Sequence, residues 1–177
     1  MGVSLPVGIW KYSPGKGAHF WNKCLTMGII AMGWSEVNDL TWYNSLEEIS
    51  ERCEEVGYSW GVGRAGDLQL WEFKNMNIND IVVAYGRGKI LGVGLIISPY
   101  FYDNSYENRV AEGKYPHRRK VTWVSIPNLD IRKDRVLYGR PPRSYGTLNI
   151  QDTIHKITDD YTINFIKNII VESLFSS

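Results

Sequence analysis

Hydrophobic and polar positions change period along this chain, and each change marks an element. Ile9-Trp10-Lys11-Tyr12 reads as a strand. Ser13-Pro14-Gly15 then makes a sharp turn, with φ fixed at the proline and freed at the glycine. Phe20, Trp21, Cys24 and Leu25 form one stripe of a helix, and Gly28 stands where a left-handed cap ends it. Ile29-Ile30-Ala31-Met32-Gly33-Trp34 is a short apolar run of strand type that ends in an indole beside a residue with no side chain. A tryptophan placed in this way stands clear of its own backbone and can wall a pocket. The turns at 13–15 and 33–34 are expected to meet at one end of a sheet.

Further along, Ser45-Leu46-Glu47-Glu48 has the spacing of a capping box. Leu46, Ile49, Cys53 and Val56 give that helix its buried face, and Gly57 ends it. Gly61-Val62-Gly63-Arg64-Ala65-Gly66 matches the dinucleotide pattern, but it follows a helix rather than a strand, and no strand with a ribose-binding acid comes after it. It reads as a loop before a third helix over 67–73, anchored by Leu70, Trp71 and Phe73. Residues 81–85 and 90–97 flank Gly86-Arg87-Gly88-Lys89 as a hairpin; the Gly-Lys pair lacks the glycine spacing and the Ser/Thr of a P-loop. Pro116-His117-Arg118-Arg119-Lys120 leads into an alternating strand, Val121-Thr122-Trp123-Val124. Residues 126–145 read as irregular and 147–157 as holding a short helical turn. Asp159-Asp160 opens a last helix lined by Ile163, Ile166, Ile170 and Leu174. The class is α+β: a curved β-sheet or small, partly open β-barrel flanked by helices.

Composition narrows the setting. A chain of 177 residues with 44% hydrophobic and 22% charged positions is one compact domain with a real core, not a disordered chain. No apolar run approaches the roughly 18 residues of a membrane span, and the N-terminus has no signal-peptide pattern, so a cytoplasmic setting is expected. Cys24 and Cys53 sit on apolar helix faces and read as buried free thiols. The net charge is only +1, but residues 36–55 carry seven acids and one base, whereas 109–143 carry ten bases and three acids. One surface is therefore expected to be positive.

Catalytic patterns are missing. His19, His117 and His155 share no metal-ligand spacing, no nucleophile elbow occurs, and Cys24 beside aromatics is a poor thiolate; no enzyme, metal or cofactor is expected. Aromatics are abundant instead, with seven tryptophans and eleven tyrosines. Trp10, Trp71 and Trp123 read as core. Trp34, Tyr85, Tyr100, Tyr102, Tyr106 and Tyr115 fall at strand ends and loops, among lysines and arginines. Bases stack on such rings while cations neutralise phosphates.

These residues resemble a family. The order Ile9-Trp10-Lys11, Ser13-Pro14-Gly15, Trp21, Gly28 to Trp34, Asp80-Ile81-Val82-Val83-Ala84 and Tyr115-Pro116-His117-Arg118-Arg119-Lys120-Val121-Thr122-Trp123 is similar to EVE domains of the PUA-like superfamily, relatives of YTH domains. It is most similar to the N-terminal DNA-binding domains of McrB-type modification-dependent restriction proteins. The resemblance implies a PUA-like fold with an aromatic cage for a modified base flipped out of nucleic acid. Trp34 and Tyr115 match cage aromatics, with Trp21, Tyr102 and Tyr106 as candidates for the third wall. The turn after the first strand holds no acid or amide here, so contact with the base edge falls to Ser13 or to backbone groups. Arg87, Lys89, Lys114, Arg118 and Arg119 are the expected phosphate contacts. The expected ligand is DNA carrying a modified base, N6-methyladenine ahead of 5-methylcytosine, with an RNA reader as the alternative. The chain would form the N-terminal part of a larger protein serving a restriction complex.

Overall fold

The computed structural model describes residues 7–58, 66–111, 115–139 and 146–176. Its sheet contains β1 (Ile9–Tyr12), β2 (Ile29–Met32), β3 (Ile81–Gly86), β4 (Lys89–Ile96), β5 (Phe101–Tyr102), β6 (His117–Ser125), β7 (Leu129–Asp130) and β8 (Ile154–Lys156). The path runs β2-β6-β4-β3-β1-β8, with β5 added on β6 and β7 on β4. β1 and β3 pair in parallel, which requires a long crossover. That crossover holds α1 (Trp21–Met27), β2, α2 (Leu46–Glu55) and α3 (Gly66–Asn75); α4 (Asp160–Phe175) closes the chain.

Period-2 alternation gives the sheet two buried faces. Trp10, Tyr12, Val82 and Ala84 face a core shared with α1, α2 and α3, while Ile9, Val83 and Tyr85 face a second core with Leu137, Leu148 and the α4 residues Ile166 and Ile169. The register shifts between Ala84 and Tyr85 and between Val93 and Gly94; such irregularities increase local twist. The sheet curls into an open half-barrel with flanking helices, the α+β class expected. The β3–β4 hairpin turns on Arg87 (φ 53°) and Gly88 (φ 77°), the two left-handed residues of a tight hairpin loop.

Several elements differ from the sequence reading. Residues 147–157 end in strand β8, which pairs with the open edge of β1; a backbone partner of that kind leaves no local periodic signal. The stretch read as irregular contains β7 and a π-helical turn, Arg135–Gly139. Asp134 Oδ1 caps that turn by accepting from Val136 and Leu137 N–H at 2.8 Å. β6 starts at His117, so the basic stretch lies inside the strand. The buried face of α4 is Thr162, Ile166 and Ile169, while Leu174 is 67% exposed. The Ser173 and Ser125 hydroxyls share a hydrogen bond of 2.7 Å that ties α4 to β6. The glycine-rich loop lies outside the described residues except for Gly66, the first residue of α3. Among the described residues no helix is long and apolar enough to cross a membrane.

Candidate functional site

The curl of the sheet brings two loops together. β1 and β2 are not neighbours in the strand order, yet Tyr12 at the end of β1 reaches β2. Its hydroxyl donates to Ala31 O at 2.9 Å and accepts from Ala31 N–H at 3.0 Å. Both backbone groups of one β2 residue are thus satisfied by one buried side chain from β1, and the exits of the two strands are held side by side. Burial pushes the Tyr12 hydroxyl well above its ordinary pKa, so this tie stays protonated. Neighbouring Cys24 is pushed up to about 12 by the same desolvation, which leaves it an unreactive thiol.

The two exits border a cavity of about 860 Å³, a size typical of ligand sites. Ser13, Gly15, Lys16, Gly17 and Ala18 line it from the β1 side, and Gly33, Trp34, Ser35 and Glu36 from the β2 side. Tyr115 adds a ring that packs on Phe20 at 4.4 Å between centroids. The hairpin contributes Tyr85, Gly86 and Arg87, and the loop before β8 contributes Asn149, Ile150, Gln151 and Thr153. Buried Lys11 holds that loop by donating to Ile150 O at 2.7 Å and to Asp152 O. Burial lowers its pKa to about 8, with Asp152 opposing the shift.

Trp34 is held in a costly conformation. Its φ of 58° and ψ of 47° are left-handed, a genuine outlier for a bulky residue, and such strain costs on the order of 1–3 kcal/mol. Its carbonyl accepts from Val37 N–H at 3.1 Å and lies 3.2 Å from His117 Nε2. The other imidazole nitrogen, Nδ1, is 2.8 Å from the Tyr100 hydroxyl, which itself accepts from Leu40 N–H at 3.1 Å. One tautomer satisfies all of these: His117 donates from Nε2 to Trp34 and accepts at Nδ1 from Tyr100. Desolvation lowers the His117 pKa to about 4 against the opposing pull of the Trp34 carbonyl and Asp39, so the ring is neutral and suited to this relay.

The polar inventory is short. Asn149 Oδ1 accepts from Tyr85 Oη at 3.1 Å, which leaves the Asn149 NH₂ as the donating end of that amide. Glu36 lies at the Trp34 end of the cavity, bonded to Ser35 and Tyr58. Lys16 and Arg87 provide positive charge at the Gly17 end. A planar heterocycle therefore meets rings, amide and hydroxyl groups, and a charge gradient from anionic to cationic. Among the described residues no group of histidines, cysteines and carboxylates could hold a metal ion.

Of the pocket residues named from sequence, the cavity unites Ser13, Trp34 and Tyr115. Trp21 is not among its walls. A side chain on Gly92 would come within 2.5 Å of Trp21 Cη2, so the bare glycine admits the indole, which meets Trp123 edge-on at 4.8 Å. Tyr106 is also elsewhere, 75% exposed with the Arg109 guanidinium 4.5 Å from its ring. Tyr102 packs on His117 at 5.5 Å, behind Trp34.

The phosphate contacts divide in the same way. Arg87 is exposed at the cavity, and Lys89 lines an adjoining one. Arg118 and Arg119 are 3% and 2% exposed and are corrected to structural roles. Arg118 pairs with Asp103 at 3.0 Å and donates to Tyr115 O at 3.0 Å and to Asn108 O. Arg119 donates to Phe73 O at 2.7 Å, Ser98 O at 3.1 Å and Lys74 O, which ties α3 to the sheet. Buried and turned onto carbonyls and a carboxylate, neither is presented to a phosphate at the surface. Lys114 lies outside the described residues. Tyr85, one of the strand-end aromatics named from sequence, is a cavity wall, whereas Asn149 and the loop at 150–153 were missed because no local pattern announces a loop brought in by β8.

A family model described as "Domain of unknown function (DUF8426)" matches residues 10–140. No curated protein matches by sequence. Among solved structures, the chain is similar to the YTH domain of the Zygosaccharomyces rouxii MRB1 protein, crystallised in complex with N6-methyladenosine RNA. The TM-score is 0.53 at 15% identity, over 96% of this chain and 91% of that one. The Pho92 YTH domain, crystallised in complex with m6A, gives a TM-score of 0.53 at 15% identity, over 96% and 87% of the two chains. The fold is thus YTH-like.

Proposed function

The chain belongs to the DUF8426 family, and for this member we propose a non-catalytic module that takes a modified base, extruded from a nucleic-acid strand, into the cavity between the two strand exits. The observation that carries this reading is the convergence of Trp34 and Tyr115 on one cavity with Ser13, Asn149 and the cations Lys16 and Arg87. Extrusion costs a few kcal/mol of unstacking, and stacking returns about 1–3 kcal/mol per base. A methyl group buried in the cage adds about 1 kcal/mol, which is roughly five-fold in affinity.

N6-methyladenine is the proposed base and DNA the proposed strand. The sequence resemblance to the DNA-binding domains of McrB-type restriction proteins supports DNA, with a larger restriction assembly supplying nucleotide hydrolysis and cleavage. RNA is the second reading, favoured by the N6-methyladenosine RNA bound to a YTH domain of the same fold.

The test is binding of matched DNA and RNA oligonucleotides carrying adenine, N6-methyladenine, cytosine or 5-methylcytosine. The reading expects N6-methyladenine to bind at least about five-fold tighter than adenine, and competition between the two sugars names the strand. Equal affinity for every modified and unmodified strand overturns it.

A further inference from the structure

A second cavity adjoins the first. It measures about 360 Å³ and is lined by Gly17, Ala18, His19, Trp21, Asn22, Gly86, Arg87, Lys89, Leu91 and Asn128. Gly17, Ala18, Gly86 and Arg87 line both cavities and form the rim between them. We propose that this second cavity is a subsite for the nucleotide adjoining the extruded base, with its base against Trp21 and its phosphate on Arg87 and Lys89; the assignment rests on the reading of the first cavity as a base site.

The rim is built for close approach. Gly17 (φ 62°), Ala18 (φ 59°), Arg87 (φ 53°) and Gly88 (φ 77°) all lie in the left-handed region. Gly17 and Gly88 adopt it freely, whereas Ala18 and Arg87 carry a side chain there, and a non-glycine residue held left-handed stores strain of the kind that gathers at ligand sites. A side chain on Gly86 would meet the Ala18 methyl at 2.4 Å, so the two turns touch through a bare glycine. Arg87 reaches across that contact, its Nε 3.5 Å from the position a Gly17 Cβ would take. The guanidinium thus sits on the ridge that a strand must cross when one base enters the first cavity and the next stays outside. A phosphate joins those two nucleotides, and Arg87 stands where that phosphate passes.

The walls suit a nucleotide. The Trp21 indole is half-buried, its far end fixed by Gly92 and Trp123, so it is a rigid stacking surface. Asn22 and Asn128 are exposed amides beside it, able to donate and accept along a base edge. Lys89 has Asp130 as its cross-strand neighbour and feels its charge, but the carboxylate oxygens are hydrogen-bonded to the Arg132 guanidinium. The cavity is sized for one base, and it places a ring and two cations within a single nucleotide's reach of the first.

Two probes separate this subsite from the base cage. The nucleoside N6-methyladenosine occupies the first cavity alone, while a five-nucleotide single strand with central N6-methyladenine spans both. Trp21→Leu and Lys89→Gln should leave nucleoside affinity unchanged. Trp21→Leu should weaken the five-mer by about 5- to 150-fold, the loss of one stacked base. Lys89→Gln should lower the slope of log affinity against log salt by about 0.7. Lys89 is on the surface of a hairpin, so its variant stays informative if Trp21→Leu destabilises the chain. Five-mer affinity and salt slope that match the wild type in both variants, with the nucleoside still bound, overturn the subsite and leave the cage standing. Binding of neither probe by the wild type overturns both.

Discussion

Two sets of basic residues in this chain meet opposite fates. Arg118 and Arg119 follow one another in β6 and are buried, with their guanidinium groups bonded to carbonyls and one carboxylate. Arg87 and Lys16 are isolated cations in two separate turns, and both are exposed at the cavity. A cluster of charge in sequence thus became internal scaffolding, and a scatter of single charges became an exposed wall of the cavity. From His117 to Arg119 β6 is buried on both faces, so those two arginines have no solvated side to display; an exposed side begins only at Lys120. A turn with left-handed residues displays its side chain whatever its neighbours are.

The largest effect that would separate the two regions is on stability. Arg119→Met should strip donors from the Phe73, Ser98 and Lys74 carbonyls and cost on the order of 3 kcal/mol, seen as a fall in Tm of about 6–12 °C. A variant as stable as the wild type would break the distinction.

His117, also in β6, should act on the site from behind by holding the Trp34 carbonyl. Its folded pKa of about 4 lies below its ordinary 6.5, so the unfolded chain binds more protons between these values. The His117 contribution is full above about pH 6.5 and is lost as pH falls towards 4, by on the order of a few kcal/mol. In urea titrations across this window, His117→Gln should flatten the decline; an unchanged pH profile would show that the imidazole is not the group responsible.

The smallest effect belongs to the turn. Arg87→Asn keeps a residue that tolerates the left-handed region, so Tm should hold within about 1 °C while the salt slope of oligonucleotide binding falls by about 0.7–0.9. A large loss of stability with no change in slope would place Arg87 with the buried arginines.

Local patterns carried much of the fold. The turn at Ser13, the left-handed cap at Gly28, the hairpin at 86–89 and the Asp159 cap of α4 are each set by residues close in sequence, so each was legible. Strand β8 was not, because its partner is the edge of β1, far away in sequence. The same reason hid Asn149, which β8 carries to the cavity. Ser13, Trp34 and Tyr115 were legible through the resemblance and the strand-end geometry. Trp21 was misplaced because the empty space above Gly92 that receives its indole is a property of the folded sheet. Capping was read nearly right: Ser45 Oγ accepts from Glu48 N–H at 3.3 Å, but Glu48 reaches back to Asn44 N–H at 2.6 Å, one residue beyond the expected one.

On the proposed function, Trp34, held left-handed at the mouth of β2, forms the wall against which a methylated base rests. The most direct measurement is the affinity ratio for N6-methyladenosine over adenosine, by calorimetry, in the wild type and in Trp34→Ala checked for an unchanged Tm. A ratio of about five or more is expected in the wild type and a ratio near one in the variant. A preference that survives the loss of the indole, or is absent from the wild type, would contradict it.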